Sequence, residues 1–178
     1  MAPFTCEIAA RRALSDLSPE PCVDWAERML LAGFETPTLC ILVGETAPFH
    51  ASEMEALFDR TATELGLPVI GSTEEAVVLL STALVRRCLE AGGQTGQDAL
   101  DELATLAATR WGPTDLDTFH VLYLASVDLA AGREQRYRED ATSDNIDALI
   151  DAWCVDWRDR HPTPAWDPLD WSRATGSS

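Results

Sequence analysis

The segment from residue 30 to residue 67 contains two helix stops, two helix starts and a short apolar run, and it constrains the fold more than any other part of the chain. Gly33 follows an apolar helical run. Thr36 with Pro37 then forms a helix start, because the threonine oxygen can accept a hydrogen bond from a free amide and proline wastes no donor in the first turn. Residues 38–43 are mostly apolar and predict a helix of about two turns, with a buried strand as the alternative.

Two S-x-x-E pairs with capping-box spacing predict the starts of two longer helices, at Ser52 with Glu55 and at Ser72 with Glu75. The first helix should end at Gly66, which can adopt the left-handed conformation that closes a helix. The second is apolar around most of its circumference, so we expect it to be a central, buried helix.

Apolar periodicity elsewhere in the chain predicts the remaining helices. They cover residues 7–17, residues 19–32 after a Ser18 cap, a helix that follows a glycine loop at residues 92–96 with Thr95 as its cap, a helix from Thr114 to Gly132, and a last helix from Ser143. Residues 132–144 either continue a helix or form a solvated connection.

These seven or eight helices, with short loops and no alternating strand pattern, predict an all-α fold. We expect one helical domain over residues 1–161, either a bundle or an irregular globule. An irregular tail rich in proline and tryptophan should follow over residues 162–178, with a disordered end.

The charge balance excludes several classes of function. The 178 residues include 30 acidic residues and 13 basic ones, all of them arginine, which gives a net charge of −17. So acidic a chain disfavours nucleic-acid binding, which rewards clustered positive charge. The apolar runs are far shorter than the roughly 20 residues of a membrane helix. Because Glu7, Arg11 and Arg12 interrupt the start of the chain where a signal peptide would be apolar, we expect a cytoplasmic protein.

No motif in the sequence specifies a cofactor, a metal or a catalytic nucleophile. The cysteines are odd in number and widely separated, and they lie mostly among apolar helical neighbours, which is typical of reduced core thiols. They are Cys6, Cys22, Cys40, Cys88 and Cys154.

One pocket between helices is the alternative to a purely structural interpretation. Asp117 and His120 lie one helical turn apart and resemble half of a carboxylate-bridged di-iron site, although the second E-x-x-H that such a site needs is missing. With Tyr123, these residues could line a small-ligand or metal pocket.

The carboxyl-terminal region carries the main binding hypothesis. Asp144, Asp147 and Asp151 should form an acidic stripe along the last helix, extended by Asp140 if that helix starts early. Such a stripe could attract a basic protein partner, or it could simply be a solvated face. Two tryptophans of the tail, Trp166 and Trp171, could either pack on the helical body or anchor another protein.

The residues AGFETPTLCILVGE followed by HASEMEALFDRTATELGL are similar to stretches of small acidic helical proteins of bacteria, some of them resembling immunity proteins that neutralise toxins. Together with the size, the acidity and the lack of a catalytic set, this favours a non-enzymatic interaction protein, with toxin neutralisation as the specific version. Two alternatives stay open. The chain could be an enzyme or a small-ligand binder with its pocket around His120, or an accessory protein of a biosynthetic or phage-defence locus.

Overall fold

The computed structural model describes residues 4–91, 93–109 and 114–162, and these residues form eight α-helices and one 3₁₀ turn without a strand. The all-α prediction is confirmed. In chain order the helices are α1 (Thr5–Ala13), α2 (Pro19–Leu31), α3 (Pro37–Val43), α4 (Ala51–Leu65), α5 (Thr73–Ala91), α6 (Gly93–Thr109), α7 (Asp117–Ala130) and α8 (Ile146–Arg160), and the 3₁₀ turn is Thr114–Leu116.

The described residues divide into two compact units, one up to Ala76 and the other from Val77 onward. The boundary lies near the start of α5. The expectation of one domain over residues 1–161 stays a prediction, and the tail beyond residue 162 lies outside the described residues.

The core of the first unit is an apolar cluster to which α1, α2, α3 and α4 all contribute. Trp25 at its centre is fully buried, and its ring lies 5.3 Å from that of Phe58. The indole N–H donates to the Thr5 hydroxyl at 3.0 Å, so the one polar group of this side chain is satisfied inside the core.

The short apolar run is the helix α3, not a strand. Thr36 caps it as predicted, because its hydroxyl accepts a hydrogen bond from the Leu39 amide at 3.2 Å. Capping of this kind stabilises even a two-turn helix. Gly66 closes α4 in the predicted left-handed conformation, with a φ of 69°.

The two predicted capping boxes have different outcomes. Ser72 accepts a hydrogen bond from the Glu75 amide at 3.1 Å, and the Glu75 carboxylate accepts one from the Gly71 amide at 2.8 Å. Ser52, in contrast, lies inside the first turn of α4, whose cap position is occupied by His50 without a side-chain hydrogen bond. The Ser52 prediction is wrong because the chain becomes helical at Ala51, two residues before the start at Glu53 that a Ser52 cap requires.

This difference makes a paired prediction. Replacing Ser72 with alanine should lower the free energy of unfolding by about 1 kcal/mol, the usual cost of a lost cap. The matched Ser52→Ala substitution should change it by less than about 0.5 kcal/mol. Chemical denaturation measures both values, and equal losses at the two serines would contradict the assignment.

Glu64 of α4 connects this helix to α3. Its carboxylate accepts hydrogen bonds from the Thr38 amide at 3.1 Å and from the Thr38 hydroxyl at 2.5 Å. Hydrogen bonds from Thr36 first and from Thr38 second hold the pKa of Glu64 below its ordinary value. The connection therefore needs the ionised carboxylate.

We expect the contribution of Glu64 to stability to disappear in acid. A lowered pKa in the folded state stabilises the protein above the unfolded-state pKa, and this stabilisation is lost as the pH falls through the folded-state pKa. The difference in unfolding free energy between the wild type and Glu64→Gln should thus be largest at neutral pH and should vanish in acid. A difference that stayed the same from neutral pH into acid would contradict this role of the carboxylate.

The second unit is built around Trp157 of α8, which is fully buried. Its indole N–H donates to the Thr82 hydroxyl of α5 at 3.3 Å, and its ring meets that of Phe119 of α7 edge-on with 5.7 Å between the centroids. At the end of α8 the ring of His161 lies 4.2 Å from the same indole. One side chain thus joins α5, α7 and α8.

Four other predicted helix boundaries are wrong. Helix α1 begins at Thr5 and ends at Ala13 rather than covering residues 7–17, and Ser15 beyond it has a φ of 56°, which breaks the helix. Helix α7 begins at Asp117, because Thr114–Leu116 forms a tighter 3₁₀ turn. The boundaries of α6 and α8 also bear on the candidate site and are described with it.

Candidate functional site

The segment that precedes α8 is a connection and not a continuation of a helix. The Gln135 side chain holds it: its oxygen accepts from the amides of Tyr137 and Arg138, at 2.9 and 3.0 Å. Its nitrogen donates to the carbonyls of Arg138 and Ala141, at 2.7 and 3.0 Å. One amide group thus replaces the backbone hydrogen bonds that a helix would have made.

Helix α8 begins at Ile146, so the predicted start at Ser143 is wrong. Asn145 occupies the cap position, where its side-chain oxygen accepts from the Thr142 amide at 2.7 Å and its nitrogen donates to the Asp140 carbonyl at 2.8 Å. These two hydrogen bonds hold the chain in a turn and delay the helix.

The predicted acidic stripe is consequently shorter than expected. Asp147 and Asp151 lie one turn apart on α8 and Asp144 lies in the turn before it, and all three are exposed. Within the described part of the chain no arginine forms an ion pair with any of them. We refer to these three residues as the acidic face.

Asp140 does not extend this face. It lies in the non-helical connection and forms a two-pronged ion pair with Arg138, with N–O distances of 2.6 and 3.1 Å. The hydrogen bond from Arg138 lowers the pKa of Asp140. Its charge is therefore offset locally, as are those of Asp156, paired with Arg160, and Asp159, paired with Arg158.

Two clefts adjoin the acidic face, and both are lined by Gln97 and Asp147. The first has a volume of about 280 Å³ and lies among α5, α6 and α8; we call it the Cys88 cleft. Its walls are Cys88, Gly96, Gln97, Leu100, Asp147, Ile150 and Asp151. The second, of about 500 Å³, lies between α6, α7 and the start of α8, and we call it the Ser126 cleft. Apolar walls bordered by carboxylates suit an apolar group attached to a positive charge.

Gly96 forms part of the wall of the Cys88 cleft. The predicted glycine loop at 92–96 is wrong at this position, since α6 already begins at Gly93. A Cβ atom on Gly96 would lie 3.4 Å from the Cys88 carbonyl oxygen and 3.9 Å from its Cα. These are ordinary van der Waals distances, so a methyl group would fit here. The Cys88 thiol donates to the Gly96 carbonyl at 3.5 Å.

Cys88 and Cys154 contact each other across α5 and α8. Cys88 is half-buried at the wall of the cleft, whereas Cys154 is completely buried behind it. A hydrogen bond from the Cys154 thiol lowers the pKa of Cys88, and the charge of Arg87 acts in the same direction against the effect of burial. The same contact and burial raise the pKa of Cys154. The Gly96 carbonyl favours the protonated form of Cys88, so it partly opposes the ionisation.

The predicted pocket of Asp117, His120 and Tyr123 is not among the clefts described above. Asp117 is exposed, and Tyr123 hydrogen-bonds to Asp101 of α6, a contact that raises the tyrosine pKa. The Nδ1 atom of His120 is buried and has no hydrogen-bond partner within the described residues. Within those residues, no three His, Cys, Asp or Glu side chains are arranged to hold a metal ion.

The remaining predicted binding residues, Trp166 and Trp171, lie outside the described residues. No helix within residues 4–91, 93–109 and 114–162 combines the length and the hydropathy that a membrane span requires.

The fold and the site define an all-α protein with an acidic helix beside two clefts. Comparison with protein-family models, with curated proteins and with solved structures found no match to the chain.

Proposed function

We propose that this chain is a non-enzymatic, cytoplasmic interaction protein that binds a basic protein partner through the acidic face and the two clefts beside it. The observation that carries the proposal is that no arginine of the described residues forms an ion pair with Asp144, Asp147 or Asp151. The neighbouring carboxylates of Asp140, Asp156 and Asp159 each form an ion pair with an arginine. Of these six aspartates, only the three of the acidic face lack such a pair within the described residues.

The arrangement supports a protein partner more than a free ion. Carboxylates at the rim of an interface speed the approach of an oppositely charged partner, while adjacent apolar pockets hold its side chains. Ile146 and Ile150 provide apolar wall on the same helix as the rim carboxylates. An arginine- or lysine-rich surface with one or two apolar side chains would complement both features.

A helix-dipole effect is the competing explanation for acids near the start of α8, because carboxylates stabilise the first turn of a helix. It applies to Asp147 but hardly to Asp151, which lies one turn further along. If the dipole were the whole explanation, neutralising Asp147 would lower stability and leave binding unchanged.

The acidic face can be tested with two matched triple variants. Asp144→Asn, Asp147→Asn and Asp151→Asn neutralise the face, and the control neutralises Glu20, Asp24 and Glu27 on α2, which are also exposed and about one turn apart. Each variant raises the net charge from −17 to −14. The variants therefore differ in the place of the change and not in its size.

Extracts of the source organism are passed over immobilised wild type and both triple variants at about 0.05 M and about 0.5 M salt. We expect the wild type and the α2 variant to retain one basic protein at low salt and to lose it at high salt. The α8 variant should not retain it. Retention by all three proteins, or retention of acidic proteins alone, would contradict the proposal.

Toxin neutralisation is the specific form of this proposal. It is motivated by the size and acidity of the chain, by the lack of a catalytic motif in its sequence, and by the likeness of residues 32–67 to small acidic helical proteins, some of which resemble immunity proteins. In that case, expression of the retained protein alone should arrest growth. Co-expression of the wild-type chain should restore growth, and co-expression of the α8 variant should not. A partner that leaves growth unaffected would contradict this specific form without affecting the interaction itself.

A further inference from the structure

The Cys88 and Cys154 pair differs from the other three cysteines. Cys6 and Cys22 are buried, and burial raises the pKa of Cys22 to about 12, which keeps that thiol unreactive. Cys40 is exposed on α3 and contacts no second thiol within the described residues. The Cys88 and Cys154 pair combines access from a cleft with a second thiol in contact.

This combination is what a reversible thiol oxidation needs. The attacking sulfur must be reachable and must ionise, and a second thiol must be close enough to trap the oxidised product. The cleft gives access to Cys88, and Cys154 contacts it directly. The charged groups facing Cys88 are Arg87 of the same helix and Asp151 of α8.

We propose that Cys88 and Cys154 form a redox site that reacts with small hydroperoxides and closes to a disulfide. The Cys88 sulfur attacks the peroxide, so that an S–O bond forms and the O–O bond breaks. The leaving oxygen takes a proton and departs as water or an alcohol, and Cys88 becomes a sulfenic acid. The Cys154 sulfur then attacks the Cys88 sulfur, forming the S–S bond, and its proton leaves with the hydroxyl group as water.

The two thiols together lose two electrons in this sequence, and the peroxide gains them. A small dithiol reverses the reaction by thiol–disulfide exchange: the protein disulfide is reduced to two thiols, and the dithiol is oxidised to its own disulfide. The proposal does not depend on the acidic face or on any protein partner.

The absence of lysine makes the test direct. Trypsin cleaves this chain only after arginine, so each of the five cysteines lies in a different tryptic peptide. Cys88 lies in residues 88–110 and Cys154 in residues 139–158. A disulfide between them gives one cross-linked species that no other pair of cysteines can produce.

The full chain is treated with hydrogen peroxide, blocked with an alkylating agent and digested without reduction. We expect the cross-link between residues 88–110 and 139–158 to form and to disappear with dithiothreitol. The cross-link should form before Cys40 is oxidised, because a second thiol contacts Cys88 and traps its sulfenic acid. Cys40→Ser is the matched control and should leave the cross-link unchanged.

Cys154→Ser adds a second arm, in which a sulfenic acid should persist at Cys88 and react with a 1,3-dione probe. The peptide map of the wild type does not depend on the folding of this variant. Oxidation of Cys40 before Cys88 would overturn the proposal. So would a wild-type Cys88 that proceeds to sulfinic acid without forming the cross-link.

Discussion

Replacing Trp157 with alanine is expected to lower the free energy of unfolding by about 3–5 kcal/mol, the range for removing a buried aromatic side chain. The indole is fully buried and contacts Phe119, Thr82 and His161, which belong to or follow three different helices. The cavity would therefore lie where α5, α7 and α8 meet. Chemical denaturation of both proteins measures the difference.

Trp157→Phe is the control for this prediction. It keeps most of the apolar contact and removes the hydrogen bond to Thr82, whose hydroxyl still donates to the Val78 carbonyl at 2.8 Å. Its cost should stay near 1 kcal/mol, the value of a typical hydrogen bond. A loss below about 1 kcal/mol for the alanine variant would show that Trp157 does not organise this unit.

Trp25→Ala, in the first unit, should lower the free energy of unfolding by a similar amount, about 3–5 kcal/mol. The side chain is fully buried against Phe58, and its N–H is paired with the Thr5 hydroxyl, which in turn contacts the Met29 sulfur at 3.8 Å. The control Thr5→Val removes the acceptor and leaves the indole N–H unpaired, which should cost about 1–3 kcal/mol. If Thr5→Val lowered the free energy of unfolding as much as Trp25→Ala, the hydrogen bond of Trp25 and not the packing of its ring would make the main contribution to stability.

The two tryptophan variants together also test the prediction of a single domain. One cooperative domain predicts that each substitution shifts the same single unfolding transition. Two transitions, with Trp25→Ala affecting one and Trp157→Ala the other, would contradict it. Thermal unfolding monitored by circular dichroism and by tryptophan fluorescence distinguishes these outcomes.

Local sequence signals predicted the helices well where a side chain and its own backbone decide the structure. Thr36 caps α3 through an amide three residues away, and Gly66 closes α4 through its own φ. The capping-box motif failed to predict the start of α4, because Ala51, the residue before Ser52, is already helical. Ser52 and Ser72 have the same S-x-x-E spacing, yet Ser52 already lies within α4, whereas Ser72 precedes α5 and accepts from the Glu75 amide.

The start of α8 shows a second reason for failure. Ser143 is a good cap in sequence, but Asn145 makes two hydrogen bonds that fix a turn over residues 140–145. Competition between neighbouring polar side chains depends on geometry that a propensity does not contain. For this reason the acidic face lacks Asp140, although Asp147 and Asp151 share a side of the helix as predicted.

The thiol pair could not be found from the sequence. Cys88 and Cys154 lie on helices that are distant along the chain, and the expectation of separate, reduced core cysteines treated each one alone. Gly96, whose carbonyl accepts from the Cys88 thiol, gave no signal either, because the sequence analysis placed it in a loop and it lies within α6.

The association rate of the purified basic partner tests the central claim most directly. Stopped-flow mixing at about 0.05 M salt should give a rate constant about tenfold lower for the Asp144, Asp147 and Asp151 triple variant than for the wild type, because the steering charge is removed. The difference should shrink at about 0.5 M salt, and the Glu20, Asp24 and Glu27 variant should associate like the wild type. Equal slowing by both triple variants would show that only the net charge matters, and it would contradict the assignment of the binding surface to α8.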